Sequence, residues 1–279
     1  MLQLKNLILA NIQPISKVRS LYMDYRIQEV GKFKFIEKGN GEVILLLHGL
    51  FGALSNFANV IDYFSRKLRI SIPLLPLYEL ELDETTVTGM VDHIHEFVKQ
   101  RNYTHVHLLG NSLGGHIAQL YTLDHPEYVK SITLTGSSGL FENSLGDTYP
   151  KKGDYEYVKE KTKQTFYDPS VATKELIDEV YEIVNNREKA LRVISMAKSA
   201  LRHNLRNELH KVTVPVLLIW GKEDNITPPF VGEAFEELLP NAELHLIDKC
   251  GHAPMMERPD EFNGILDSFM EKIEVYATG

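Results

Sequence analysis

Four short segments of the chain are apolar almost without a break, and each leads into a glycine. Val43–Leu47 runs to His48-Gly49, residues 106–109 precede Gly110, residues 132–134 precede Gly136, and residues 216–220 precede Gly221. A strand with one wet face alternates apolar and polar residues, whereas a continuous run has no wet face. These four are therefore expected to be parallel strands covered by helices on both sides. Helix-length stretches lie between them, such as residues 114–124 with Ile117, Leu120 and Tyr121 on one face. Near the end of the chain Phe262, Ile265, Leu266, Phe269, Met270 and Ile273 follow the three-and-four spacing of one apolar stripe. The alternation predicts an α/β fold with a doubly wound, mostly parallel sheet, whose outer face the last helix closes.

Residues 139–211 break that rhythm. Residues 149–153 read as a loop, residues 155–166 are polar and highly charged, and no strand is evident. Leu176, Ile177, Val180, Ile183 and Val184 form one helical stripe, Asn185-Asn186 punctuates, and Leu191, Ile194, Ala197 and Leu201 form a second. The expected organisation is a core of residues 1–138 and 212–279 with a helical cap at 139–211. Loops at the carboxyl ends of parallel strands border the ligand crevice, so this insertion is expected to roof the site. Residues 1 to about 20 read as a peripheral extension, since the apolar run at residues 7–10 is too short for a signal-peptide core.

Composition narrows the partners. With 38 acidic and 30 basic residues the formal charge is -8, and no basic stripe offers itself to a phosphate backbone, so no nucleic-acid partner is expected. Cys250 is the sole cysteine, which excludes an internal disulfide, and no Cys/His set has zinc-ligand spacing. No segment is long enough to span a bilayer, so no membrane partner is expected and a reducing cytoplasm is the simplest compartment.

The chemistry lies in Gly110-Asn111-Ser112-Leu113-Gly114-Gly115, set between an apolar run and a helical stretch. That is the setting of a nucleophile elbow, a turn so sharp that bulky residues two positions either side of the serine would collide. Such a turn lifts Ser112 above the sheet and leaves the Leu113 amide at a helix N-terminus, facing a developing oxyanion. Taken alone, the pattern is also compatible with a glycine-rich turn that happens to contain a serine. Three further motifs bear on the choice: His48-Gly49-Leu50-Phe51-Gly52, Trp220-Gly221-Lys222-Glu223-Asp224 and Gly251-His252.

With these motifs in the order nucleophile, acid, base, the chain from about residue 43 to 273 resembles the α/β-hydrolase superfamily. The resemblance implies Ser112 as nucleophile, His252 as base and Asp224 as its orienting acid. It places the second oxyanion donor at the Leu50 amide, with Phe51 as the neighbouring candidate. The Gly-Asn-Ser elbow and helical cap most resemble carbon–carbon bond hydrolases of the meta-cleavage type and related esterases. Two features depart from those enzymes: Leu50-Phe51-Gly52 stands where a Gly-Pro-Gly stretch is usual, and Ala253-Pro254 follows the histidine where an aromatic residue is common. Dehalogenases and epoxide hydrolases of this fold use aspartate at the elbow, so Ser112 argues against both. The implied activity is hydrolysis of a small-molecule substrate, either an ester or an activated carbon–carbon bond next to a carbonyl, with no metal or organic cofactor. Two alternatives use the same triad: a ligand receptor with slow or single turnover, and a lyase or thioesterase.

Other residues read as structural. His48 is expected to brace its loop by hydrogen bonding. His93 and His95 should point to different helix faces, while His105 and His107 could share a strand face but lack nearby carboxylates. Ser195-Met196-Ala197-Lys198 matches a Ser-x-x-Lys pattern without its companion motifs. Gly39-Asn40-Gly41 reads as a hairpin turn, and Cys250 as a small buried residue. Arg187, Arg192, Arg202, His203 and Arg206 are either a solvated face or a greeting for an anionic substrate.

Overall fold

A computed structural model describes residues 25–52, 54–141 and 153–277. The expected extension at residues 1–20 and most of the expected loop at 149–153 lie outside them. Eight strands form one sheet: β1 (Gln28–Val30), β2 (Phe33–Lys38), β3 (Val43–Leu47), β4 (Arg69–Pro73), β5 (Val106–Asn111), β6 (Val129–Thr135), β7 (Val216–Gly221) and β8 (Ala242–Ile247). The helices are α1 (Ala58–Phe64), α2 (Val87–Gln100), α3 (Leu113–Asp124), α4 (Tyr155–Lys163), α5 (Lys174–Asn185), α6 (Arg187–Arg202), α7 (Pro229–Leu238), α8 (Pro254–Glu257) and α9 (Pro259–Ala277).

The strand order is β1-β2-β4-β3-β5-β6-β7-β8, parallel from β4 to β8, with β1 and β2 joined antiparallel at one edge. The four continuous apolar runs are central strands, as expected. Along β3 the side chains part alternately: Leu45 and Leu47 pack in the layer with α2, α3 and α7, and Ile44 and Leu46 in the layer with α1 and α9. That division is the doubly wound arrangement, and the C-terminal stripe of Phe262, Leu266, Phe269 and Met270 closes the second layer. From β3 the chain passes to β4 on one side, while β5 lies on the other. The carboxyl ends of β3 and β5 therefore flank a topological switch point, where open α/β sheets place their ligands.

Three expectations need correction. Gly39-Asn40-Gly41 does not close a hairpin, because β2 pairs with β4 and β4 inserts between β2 and β3. The turn signal is local and does not reveal which strands become neighbours. Helix α3 buries more than the face of Ile117, Leu120 and Tyr121: residues Leu113 to Thr122 are all buried, the polar His116, Gln119 and Thr122 included, since it lies between the sheet and neighbouring helices. The second cap stripe is rotated on its helix: Val193, Met196, Ser199 and Ala200 are buried in α6, whereas Leu191 and Leu201 are exposed. The described residues between β6 and β7 hold α4, α5 and α6 and no strand.

Burial of two histidines makes the fold acid-sensitive. On α2, His93 packs against the Phe33 ring, and burial, aided by Lys32, pushes its pKa down to about 4. On α3, His116 Nε2 donates to the His203 carbonyl at 2.8 Å, joining the core to the end of α6, and burial lowers its pKa to about 4. Both are held neutral in the fold and gain protons more readily when unfolded. Their contribution is full above the unfolded value of about 6.5 and is lost as pH falls toward the folded value. The urea midpoint should drop between about pH 7 and about pH 4.5, and His93→Gln should shrink that drop. An identical pH dependence in the variant would contradict this assignment.

Candidate active site

Ser112 joins β5 to α3 with φ 55° and ψ -118°, a backbone conformation that non-glycine residues rarely hold. Holding it stores roughly 1–3 kcal/mol of strain, which the surrounding structure must enforce. The Ser112 N–H donates to the Thr135 carbonyl at 3.1 Å, and its own carbonyl accepts from Gly115 N–H at 3.0 Å and Ser138 N–H at 3.2 Å. The flanking glycines permit the turn: a Cβ on Gly110 would collide with the Gly114 backbone, and one on Gly114 with the Leu47 carbonyl. Leu113 opens α3, where the first amides have no intrahelical acceptor.

His252 stands on the loop between β8 and α8, buried, with Nδ1 2.9 Å from Asp224 Oδ2. A carboxylate oxygen only accepts, so Nδ1 carries the proton and Nε2 of a neutral ring is left as an acceptor. Asp224 is itself fully engaged. Its Oδ1 accepts from Ile226 N–H at 2.8 Å and Thr227 N–H at 2.9 Å, and its Oδ2 also accepts from Thr227 Oγ1 at 2.9 Å. The neighbouring Glu223 points elsewhere, taking Cys250 N–H at 2.9 Å. The His252 backbone is anchored from two sides: its N–H donates to the Thr165 carbonyl at 2.9 Å, and its carbonyl accepts from Asn111 Nδ2 at 3.2 Å. Gly136 has φ 51°, and a Cβ there would lie 2.8 Å from His252 Nδ1, so this close approach needs glycine.

The loop after β3 comes within reach of Ser112; a Cβ on Gly49 would sit 3.2 Å from Ser112 Cβ. The Gly49 carbonyl accepts from Gly52 N–H at 3.0 Å and from His48 Nδ1 at 2.9 Å. In a trans peptide the Leu50 N–H then points away from both donors. His48 is a brace, as its sequence setting suggests, and burial lowers its pKa so that it stays neutral.

Ser112, Leu113, Leu50, Phe51 and His252 line one cavity of about 470 Å³, within the range of small-molecule sites. Further lining comes from Val158, Lys161 and Thr162 of α4, Leu176 and Val180 of α5, and Met196, Ala197, Ala200 and Leu201 of α6. No hydrogen bond joins Ser112 to His252 among the described residues, and such contacts commonly tighten only when substrate binds. Asp224 lies behind the histidine and does not line the cavity.

Several residues take places the motifs do not reveal. Thr227 braces Asp224 from three residues on, and Trp220 Nε1 fixes it through the Thr227 carbonyl at 2.8 Å. Glu257 accepts from Gly251 N–H at 2.7 Å and Tyr167 N–H at 2.8 Å, tying the histidine loop to the segment between α4 and α5. Among the described residues Lys161 is the one cation lining the cavity, whereas the five basic residues considered on α6 and just beyond it do not line it. Arg192, for one, donates to the Leu80 carbonyl at 2.7 Å. His107 is a correction, because its Nε2 meets Glu42 Oε2 at 2.9 Å. Parallel pairing of β3 with β5 brings that carboxylate across 65 residues of sequence. Cys250 is buried and burial pushes its thiol up, far from a reactive thiolate. Among the described residues no group of three or more His, Cys, Asp or Glu side chains could hold a metal ion, and no helix is long and apolar enough to cross a membrane.

With this geometry in view, the chain was compared with known proteins. Residues 44–265 match the alpha/beta hydrolase family. Monoacylglycerol lipase abhd6-B of Xenopus laevis is 25% identical over 92% of this chain and 85% of its own length. A 2-hydroxy-6-oxononadienedioate/2-hydroxy-6-oxononatrienedioate hydrolase of a Pseudomonas species is 28% identical over 88% of this chain and 99% of its own. Among solved structures, the alpha/beta hydrolase enzyme MGS-MChE2, from a sediment metagenome of the Mar Chica lagoon, is 44% identical. The match covers 89% of this chain and 99% of that one, with a TM-score of 0.75.

Proposed function

From the premise that the chain belongs to the alpha/beta hydrolase family, we propose that it hydrolyses carboxylic esters of apolar acyl groups through a Ser112–His252–Asp224 triad. The observation that carries this reading is the 2.9 Å contact of His252 Nδ1 with buried Asp224, beside a cavity shared by His252 and a strained serine. A serine hydroxyl is a weak nucleophile at neutral pH and needs a base as its bond to carbon forms. His252 Nε2 takes the proton, and Asp224 stabilises the imidazolium without becoming protonated. The tetrahedral oxyanion is met by the Leu113 amide at the start of α3 and by the Leu50 amide, with Phe51 N–H next in line. His252 returns the proton to the leaving alcohol, and water repeats the sequence on the acyl-enzyme.

The walls of the cavity favour an ester. Val158, Leu176, Val180, Met196 and Leu201 suit an acyl chain, and relatives named monoacylglycerol lipases act on substrates of that kind. The Pseudomonas relative is named as a hydrolase of dioates, whose two carboxylates call for cationic partners, and among the described residues the cavity offers Lys161. Purified protein should cleave neutral monoacyl esters, glyceryl esters included, with kcat/KM at least roughly tenfold above that for a dienoic diketone carboxylate. The reverse preference would replace the ester reading with carbon–carbon cleavage. Binding of esters without turnover would replace it with a receptor.

A further inference from the structure

The loop after β4, residues 74–86, runs beside the Leu50 loop and α6. Tyr78 on this loop donates its hydroxyl to the Leu50 carbonyl at 2.6 Å. Both peptides flanking Leu50 are therefore fixed by their carbonyl oxygens, the first by Gly52 and His48 and the second by Tyr78. The loop that carries Tyr78 is in turn stapled to one face of α6. Arg192 Nε donates to the Leu80 carbonyl at 2.7 Å, Ser195 Oγ to the Leu82 carbonyl at 3.2 Å, and Val87 N–H to Ser199 Oγ at 3.1 Å. The three donors and acceptors on α6 stand at i, i+3 and i+7, one stripe of a helix. Its Lys189 ammonium lies over the Tyr78 ring, 5.7 Å from the centroid. The same helix lines the cavity through Met196, Ala197, Ala200 and Leu201.

We propose that Tyr78 is a positioning residue for acyl transfer: it holds the Leu50–Phe51 peptide, and through it the loop that presents the Leu50 and Phe51 oxyanion-donor candidates, and helix α6 sets where Tyr78 stands. The proposal rests on this loop supplying the second oxyanion donor, from Leu50 or Phe51, in a Ser112 hydrolase. Without the hydroxyl, the Leu50–Phe51 peptide loses the one side-chain anchor it has among the described residues and can rotate, which turns the Phe51 N–H directly and loosens the loop that carries the Leu50 N–H. Burial and the nearby Glu179 carboxylate hold the Tyr78 hydroxyl protonated, so it remains a donor at ordinary pH. Ser195, whose Ser-x-x-Lys setting suggested no chemistry of its own, becomes one of the staples.

Tyr78→Phe keeps the ring and its packing and removes only the donor. Kinetics would be measured on an ester and on its thiono counterpart, whose sulfur accepts hydrogen bonds poorly and so draws little from an oxyanion hole. Loss of one direct oxyanion donor costs roughly 100- to 1000-fold, and loosening one should cost less. The variant should lose roughly 10- to 100-fold in kcat for the ester, with KM nearly unchanged, and its preference for the ester over the thionoester should narrow by a similar factor. Unchanged kcat and preference would overturn the proposal. Equal losses on both substrates would also overturn it, because they report general damage. Should Tyr78→Phe fail to fold, Ser195→Ala with the same pair of substrates decides, expected to narrow the preference by a smaller factor. Fluorophosphonate labelling of the unmodified protein separates the two levels: no adduct at Ser112 defeats the underlying reading, and an adduct with an unaffected Tyr78→Phe defeats this proposal alone.

Discussion

Asp224→Asn should lower kcat by about ten-thousand-fold while leaving the fold intact, the size of the loss at the corresponding aspartate of a serine protease. The geometry dictates how. Asp224 Oδ1 faces two backbone donors, Ile226 N–H and Thr227 N–H, so an amide nitrogen cannot occupy that side. The asparagine must keep its oxygen there and turn its NH₂ toward His252 Nδ1. A donor facing Nδ1 forces the imidazole proton onto Nε2, and a protonated Nε2 cannot accept the serine proton. Glu223→Gln removes a charge that faces the Cys250 amide, on the other side of the turn, and should cost little. Steady-state kinetics on both variants checks the pair. Abolished activity in Glu223→Gln with retained activity in Asp224→Asn would assign the acid to the wrong carboxylate.

The largest effect is expected at the elbow. Ser112→Ala should remove roughly six orders of magnitude from kcat, as loss of the nucleophile does in a serine protease. Its backbone hydrogen bonds to Thr135, Gly115 and Ser138 use no side-chain atom, so the variant should fold normally. Ser112→Gly sharpens the test. With φ at 55° a serine is strained where glycine is not, so the glycine variant should be more stable by about 1 kcal/mol and equally inactive. Stability gained by the same change that destroys activity would mark the strain as maintained for function. Denaturant unfolding of the two variants beside kinetics checks both parts, and a Ser112→Gly protein less stable than the parent would contradict the strain argument.

What was legible in the sequence was what short, local patterns encode. The runs at Val43–Leu47 and residues 216–220 announce buried strands because burial on both faces leaves no polar position. The elbow is legible because a turn this tight excludes side chains at residues 110 and 114, and the Trp220-to-Asp224 turn because its register is local. The half-exposed edge strand β8 and the alternating β2 lack a continuous apolar run, and the placement of β4 between β2 and β3 is written in no single segment. The supporting shell was hidden for the same reason. Tyr78 and Thr165 reach the site from two separate loops and Glu257 from the end of α8, and only the closed fold brings their donors and acceptors to Leu50, His252 and Gly251. The α6 stripe misled because a cavity wall and a solvent-facing edge can both be apolar, so periodicity alone did not say which face the core takes.

The central claim is that Ser112 is an activated nucleophile, and the most direct measurement is the mass of the protein after reaction with a fluorophosphonate, with the adduct mapped by peptide sequencing. The account predicts a single adduct on Ser112, formed at pH 7 and absent from Ser112→Ala. An adduct on Ser195, or none on a folded protein, would contradict it.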